Sequence, residues 1–188
     1  LPKTGLASDF LIEGDFLKMD LRDRFSGGVR VIGNFPYNIS SQIFFKIIEN
    51  RDLVPECVGM VQREVAVRIA EPPGSREYGI LSVLLQAWYD IEYLFTVGEK
   101  VFNPPPKVKS AVIRLRRNGV RSLDCDEQLF MKVVKASFGQ RRKMLRNSLR
   151  AAFGEFDSEH RFFSMRAEQL SVADFTELTR WVAEHRSK

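Results

Sequence analysis

The sequence predicts an α/β protein in which part of an open, doubly wound sheet is followed by a small all-helical unit. Three observations carry that prediction. Short apolar runs at residues 29–33 and 57–62 are each followed by a segment with helical spacing of its apolar residues, the alternation of buried strand and covering helix. Residues 110–115 alternate in the manner of a half-buried strand. Beyond Asn118-Gly119 the strand signals stop and only helical periodicity continues.

Taken in order, residues 10–13 and 29–33 read as short buried strands, each ending at the kind of loop that carries chemistry in such sheets. Residues 40–50 bring Ile43, Phe44, Ile47 and Ile48 onto one helical face. Residues 57–62 give the next strand and 63–70 the helix after it, which Glu71-Pro72-Pro73-Gly74-Ser75 breaks. Residues 80–87 are helical, while 91–97 and 110–115 are strands that pair as an antiparallel edge around the proline-rich turn at 103–106. Residues 126–138, 140–153 and 171–185 carry helical periodicity, punctuated by Gly139 and Gly154, with Ser171 as a cap. The change of character near 118–122 divides the chain into a sheet part, 1–118, and a helical part, 119–188.

Composition narrows the function. Hydrophobic residues make up 44% of the chain, enough for a core. No apolar run approaches the roughly 18 residues needed to cross a membrane, and no charged-then-apolar leader is present, so a soluble cytoplasmic protein is expected. Cys57 and Cys125 stand alone, as do His160 and His185, which argues against a metal site, a disulfide framework or a histidine base. The net charge of +5 is strongly segregated: residues 107–150 hold thirteen Lys or Arg and three Asp or Glu, a local +10, and the remainder carries −5. Such segregation points to a polyanion, most simply a nucleic acid.

The most informative residues are Asn34-Phe35-Pro36-Tyr37, which follow the apolar run at 29–32 and precede the helical segment at 40. An ordinary turn, with Asn34 capping and Tyr37 packing, is the plain reading. The chemical one is sharper. The Asn34 side-chain oxygen and a neighbouring backbone carbonyl, of Phe35 or Pro36, can accept both hydrogen bonds of one exocyclic amino group, with Pro36 holding the carbonyl in place. Tyr37 can stack on the ring that carries the amine. Orienting both N–H bonds leaves the nitrogen facing an electrophile, which suits methyl transfer to adenine without a strong base.

Three more stretches bear on the same chemistry. Asp15, in Glu13-Gly14-Asp15-Phe16-Leu17, follows the first expected strand; taken alone it reads as a cap or turn residue. Phe102-Asn103-Pro104-Pro105-Pro106-Lys107-Val108 joins a stacking ring to a rigid proline run and a cation. In Gln140-Arg141-Arg142-Lys143-Met144-Leu145-Arg146-Asn147-Ser148-Leu149, a helix would align Arg142, Arg146 and Arg150 on one face, suited to a phosphate backbone, and turn Leu145 and Leu149 inward. With so many cations and so few acids nearby, these side chains are expected to face solvent or phosphate.

Asn34-Phe35-Pro36-Tyr37 resembles motif IV of the amino-group nucleic-acid methyltransferases, in the form found in ribosomal RNA adenine dimethyltransferases. The other stretches, with Arg166 to Val172, resemble the same family's small-subunit (KsgA) branch over residues 13–183. Macrolide-resistance methyltransferases share the motif, but the combination of PPPKVKSAV and QRRKMLRNSL is similar to the small-subunit branch. The resemblance implies a Rossmann-like methyltransferase sheet with a C-terminal helical RNA-binding domain. It implies S-adenosylmethionine as methyl donor, and as product N6,N6-dimethyladenosine at two adjacent adenosines near the 3′ end of small-subunit rRNA, in the assembling subunit. It further implies that Asn34 and the Phe35 or Pro36 carbonyl hold the target amine and that Tyr37 and Phe102 sandwich the base. Asp15, with Asn34, would contact the donor, and Lys107, Arg141, Arg142, Lys143, Arg146 and Arg150 the RNA. Two departures stand out: Phe35 occupies a position where Leu is commoner, and the family's GxGxG loop and acidic ribose-binding residue are missing. The chain is therefore expected to be truncated at its N-terminus, with an incomplete donor site and little activity alone. A non-catalytic ribosome-assembly factor on the same fold is the alternative, opposed by Asn34, Pro36, Tyr37 and Phe102, which pure binding would not need.

Overall fold

A computed structural model describes residues 11–186. Its centre is a four-stranded sheet made by β1 (Arg30–Asn34), β2 (Glu56–Gln62), β3 (Tyr89–Val97) and β4 (Ser110–Arg117), in the order β1-β2-β4-β3. β1 and β2 are parallel, and β4 runs antiparallel to both β2 and β3. The parallel pair requires a crossover, supplied by α2 (Ser40–Glu49). α1 (Leu21–Arg24) precedes β1, and α3 (Arg63–Ala70) and α4 (Ile80–Gln86) lie between β2 and β3. After β4 come α5 (Glu127–Gly139), α6 (Leu145–Phe153) and α7 (Val172–His185).

Period-two burial decides how the sheet packs. Cys57, Gly59 and Val61 of β2 and Ala111, Ile113 and Leu115 of β4 are buried on one face, against Phe44, Ile47 and Ile48 of α2, Ala66 and Ile69 of α3, and Leu84 and Leu85 of α4. Burial holds the Cys57 thiol protonated, pushing it up to about 12, so Cys57 is a packing residue. The opposite face carries charge pairs that bridge strands, Arg30 and Arg116 on Glu56 and Arg114 on Glu92. The helical part joins the same core. Phe130 of α5 meets Trp88 edge-on with ring centroids 6.1 Å apart, and Arg51 lies over the Trp88 ring while pairing with Glu127. Ser171 caps α7 by accepting from the Asp174 amide, as its position before the helix predicts.

Two expected elements differ. Of the strand expected at 10–13, Phe10 lies outside the described residues, and Leu11, Ile12 and Glu13 run without regular structure into a turn at Asp15. A strand needs a ladder partner, and no described segment pairs with them. The helix expected over 140–153 begins only at Leu145. Residues 140–144 are exposed throughout and have no apolar face to bury, so tertiary packing gives them no reason to be helical. They form a turn, with the Lys143 amide donating to the Gln140 carbonyl, and Leu145 then donates to the Met165 carbonyl as the chain enters α6.

The tightest packing lies just behind the Asn34 loop. Gly33 of β1 and Gly59 of β2 are register partners, and together they form a notch that receives the Phe35 ring. A Cβ at Gly59 would stand 2.6 Å from Phe35 Cε2, while the ring's other side meets Phe44 edge-on at 5.6 Å. Overpacking such a seat costs about 1–3 kcal/mol. Gly59→Ala is therefore expected to lower unfolding stability by about that much in urea titration, and Phe35→Leu in the Gly59→Ala background to restore most of it. Equal stability of Gly59→Ala and the parent would show that the ring is not seated there.

Candidate active site

The loop that leaves β1 is held by hydrogen bonds along most of its length, while Asn34 at its start stays exposed. The Phe35 amide donates to the Met60 carbonyl at 3.0 Å, continuing the β1–β2 ladder by one step. Phe35 itself is only 5% exposed, so its ring anchors the loop from below. The Pro36 carbonyl accepts from the Ile39 amide at 3.1 Å, and Ser40 Oγ donates to the Tyr37 carbonyl at 3.2 Å, which together turn the chain into α2. Tyr37 Oη and Ser110 Oγ are 2.6 Å apart, fixing the phenol ring against the first residue of β4. What remains is the exposed Asn34 amide and the Phe35 carbonyl, which has no donor among the described residues. Of the two carbonyls that the sequence leaves open, the geometry thus favours that of Phe35.

Asn34, Phe35 and Pro36 are shared walls of two neighbouring cavities. One, of about 240 Å3, is completed by Tyr37, Phe102, Pro104 and Pro106. The other, of about 600 Å3, is predominantly apolar and is lined by Leu11, Ile12, Phe16, Ile32 and Ile43 among others. A ligand in each would meet at the Asn34 loop. Both volumes are of the order expected for small-molecule subsites, roughly 300–1,000 Å3. Ile32, 82% exposed on the edge strand, is an apolar side chain that such a ligand would cover.

The structure brings Asn34, Phe35, Pro36, Tyr37 and Phe102 together around the smaller cavity. Phe102 is half-buried and follows a single 3-10 turn, Glu99–Val101, which delivers it to the proline run. Asp15 lies apart, in a polar hollow of about 330 Å3 that shares only Ile12 and Met19 with the apolar cavity. Its Oδ1 accepts from the Leu17 amide at 2.9 Å and its Oδ2 lies 4.0 Å from Lys18 Nζ, so it serves as a turn cap with acceptor capacity to spare.

The basic residues divide in a way that corrects the expectation of one free cationic face. Arg142 precedes α6, so it does not share a helical face with Arg146 and Arg150. Arg146 pairs with Glu159, and Arg150 with Glu155 at 3.1 Å and Glu159 at 3.7 Å, acids supplied from beyond α6. The count over residues 107–150 stops short of these partners, which is why it overstated the free charge. Arg141 points back into the fold, donating to the carbonyls of Arg76 and Tyr78, and ties the turn before α6 to the loop before α4. Lys107, Arg142 and Lys143 are exposed with no side-chain partner among the described residues. Neither histidine faces the loop: His160 sits among Phe162, Phe163 and Trp181, where burial lowers its pKa, and His185 stacks on Trp181.

Two supports of the site were not identified from sequence. Gly59 had a readable signal, since glycine inside a strand marks a close approach, here that of Phe35. Ser110, which holds Tyr37, had none, because a serine opening a strand is ordinary.

Residues 9–184 match the ribosomal RNA adenine dimethylase family. Proteins called ribosomal RNA small subunit methyltransferase A are similar throughout: that of Bacteroides thetaiotaomicron is 60% identical over 94% of this chain and 67% of its own length. The Parabacteroides distasonis protein is 58% identical over 95% and 68%, and a Bacteroides fragilis protein 59% identical over 93% and 65%. The chain thus spans about two thirds of the length of these relatives. Among solved structures, a dimethyladenosine transferase from Plasmodium falciparum superposes with a TM-score of 0.75 at 22% identity, covering 94% of this chain and 74% of that one. The 23S rRNA methyltransferase ErmE gives 0.59 at 22% identity, over 90% and 71%. These superpositions establish the Rossmann-like methyltransferase fold of the sheet.

Proposed function

This chain belongs to the ribosomal RNA adenine dimethylase family, and on that premise we propose that, at the length of its relatives, the protein dimethylates adenosines of small-subunit rRNA with S-adenosylmethionine as donor. The observation that supports this reading best is the position of Asn34, Phe35 and Pro36 as a partition between two cavities. An adenine in the smaller one would lie between Tyr37 and Phe102, extruded from its strand. Its amino group would donate one hydrogen bond to Asn34 Oδ1 and the other to the Phe35 carbonyl. The backbone acceptor is pre-placed, because Phe35 is seated and its amide is spent on Met60.

Fixing both N–H bonds turns the nitrogen lone pair toward the larger cavity. S-adenosylmethionine, when bound there, supplies a methyl group on a sulfonium. The apolar walls fit the adenine and thioether portions of such a molecule, and Asp15, across Ile12, would accept from its adenine amino group. The nitrogen becomes strongly acidic once alkylated, so its proton can leave to water, and no histidine or carboxylate base is required. The GxGxG segment is not among these 188 residues, and activity is assigned to the protein at its relatives' length.

RNA contact is assigned to Lys107, beside the smaller cavity, and to Arg142 and Lys143 in the turn before α6. Arg146 and Arg150 contribute through their pairs with Glu155 and Glu159, and Arg141 by holding the turn. A cytoplasmic setting follows from the substrate. Among the described residues no helix is long and apolar enough to cross a membrane, and no group of side chains could hold a metal ion.

At the relatives' full length, Asn34→Ala is expected to cut turnover by the equivalent of about 2–4 kcal/mol while leaving rRNA affinity nearly unchanged, since one of two acceptors is lost. Normal turnover on assembled small-subunit substrate would reject the assignment and favour a purely binding role. In the chain as it stands, Arg142→Ala with Lys143→Ala should reduce the log–log salt slope of rRNA binding by roughly one per lost contact and leave the melting temperature unchanged. Arg141→Ala should instead lower stability by about 0.5–1.5 kcal/mol, because its hydrogen bonds to two carbonyls are lost where water can partly replace them. An unchanged slope in the double variant would place RNA contact elsewhere.

A further inference from the structure

Two residues along the chain from Pro106 of the Tyr37–Phe102 cavity, Val108 opens the lining of a separate hollow of about 310 Å3, completed by Lys109, Gln62, Arg63 and Glu64. The two are divided by residues 106–109: Pro106 lines the first, Val108 and Lys109 the second. That divider is fastened on both sides. The Arg63 amide donates to the Lys109 carbonyl at 2.9 Å, Gln62 pairs with Ser110 in the β2–β4 register, and Ser110 holds Tyr37 at 2.6 Å. The Arg63 amide is therefore already used, and what the hollow offers a ligand is its side chains.

Those side chains leave uncompensated positive charge. Glu64 is the one acid in the lining, and Arg68 takes it at 2.8 Å, one turn along α3. Arg63 and Lys109 are exposed, and neither side chain has a hydrogen-bond or ion-pair partner among the described residues. Lys107, equally free, stands between the two hollows in the chain. On the open face of the sheet, by contrast, Arg30, Arg114 and Arg116 each pair with an acid across the strands. Cations left unpaired on a rigid frame, next to a cavity suited to a base, are arranged for the anion that accompanies that base.

We propose that this hollow is a phosphate subsite in which Arg63 and Lys109 hold the backbone phosphate linking the adenosine in the Tyr37–Phe102 cavity to its neighbour. The proposal rests on the reading of that cavity as an adenosine site. Its role is to fix the register of the strand, so that one nucleotide at a time is presented to Asn34.

The test uses this chain and short single-stranded RNAs with a central adenosine, carrying one neutral methylphosphonate linkage on either side of it in turn. One of the two neutral linkages should weaken binding to the parent protein severalfold, and Arg63→Ala with Lys109→Ala should abolish that penalty. Arg121→Ala with Lys132→Ala, which removes equal charge from exposed positions elsewhere, should preserve it. A penalty of the same size in the Arg63/Lys109 variant, or no penalty in the parent at either linkage, would overturn the subsite. Replacing the central adenosine by uridine reads the base cavity independently: loss of affinity supports the adenosine site, and equal affinity rejects it whatever the linkage data show. Failure of the parent to bind any of these RNAs would reject both.

Discussion

Everything in the site depends on the seat of Phe35 in the notch between Gly33 and Gly59. A buried phenyl ring contributes about 1.5–3 kcal/mol, and this one is spent on a loop whose polar groups would otherwise be free to move. With the ring held against Gly59 and Phe44 and the amide bound to the Met60 carbonyl, residue 35 is anchored at both side chain and backbone, next in the chain to the exposed Asn34. Sheet packing thereby anchors the backbone that carries the Phe35 carbonyl. Leu at this position would fill the notch less fully, so the larger residue and the glycine opposite it belong together.

From that fixed loop the surroundings divide cleanly. The apolar cavity lies on one side, the aromatic and proline-lined cavity on the other, and Ser110 carries the constraint from Tyr37 into β4. Charge is divided as well. Arg141, Arg146 and Arg150 are committed to carbonyls or acids within the fold, whereas Lys107, Arg142, Lys143, Arg63 and Lys109 are not. Arg141 ties the helical part to the sheet part, Arg146 and Arg150 brace the helical part internally, and the uncommitted set remains exposed.

Much of this was legible in the sequence. The strands and helices from residue 29 to 117 follow their apolar periodicity within a residue or two, because their buried faces are continuous. The order amide, proline, aromatic marked Asn34 to Tyr37 as a candidate site, and the structure gathers them with Phe102 around one cavity. The start of α6 was misjudged because Gln, Arg, Lys and Met are all good helix formers, and propensity alone does not reveal that residues 140–144 bury nothing. The pairing of Arg146 and Arg150 escaped because Glu155 and Glu159 return to them only after Gly154, at a φ of 84°, has turned the chain. Charge counts along a sequence do not register partners brought back by a turn.

The central claim is that Asn34 and the Phe35 carbonyl together receive an exocyclic amino group. Its most direct measurement is the side-chain amide resonance of Asn34 in isotope-labelled protein, titrated with a short single-stranded RNA containing one adenosine and with the same RNA containing purine ribonucleoside, which lacks the amino group. Adenosine is expected to shift the Asn34 amide pair and the Phe35 and Pro36 backbone signals, and the purine analogue to leave the Asn34 pair in place while still perturbing the Phe102 ring. Identical shifts with both RNAs, or none at Asn34 with either, would contradict it.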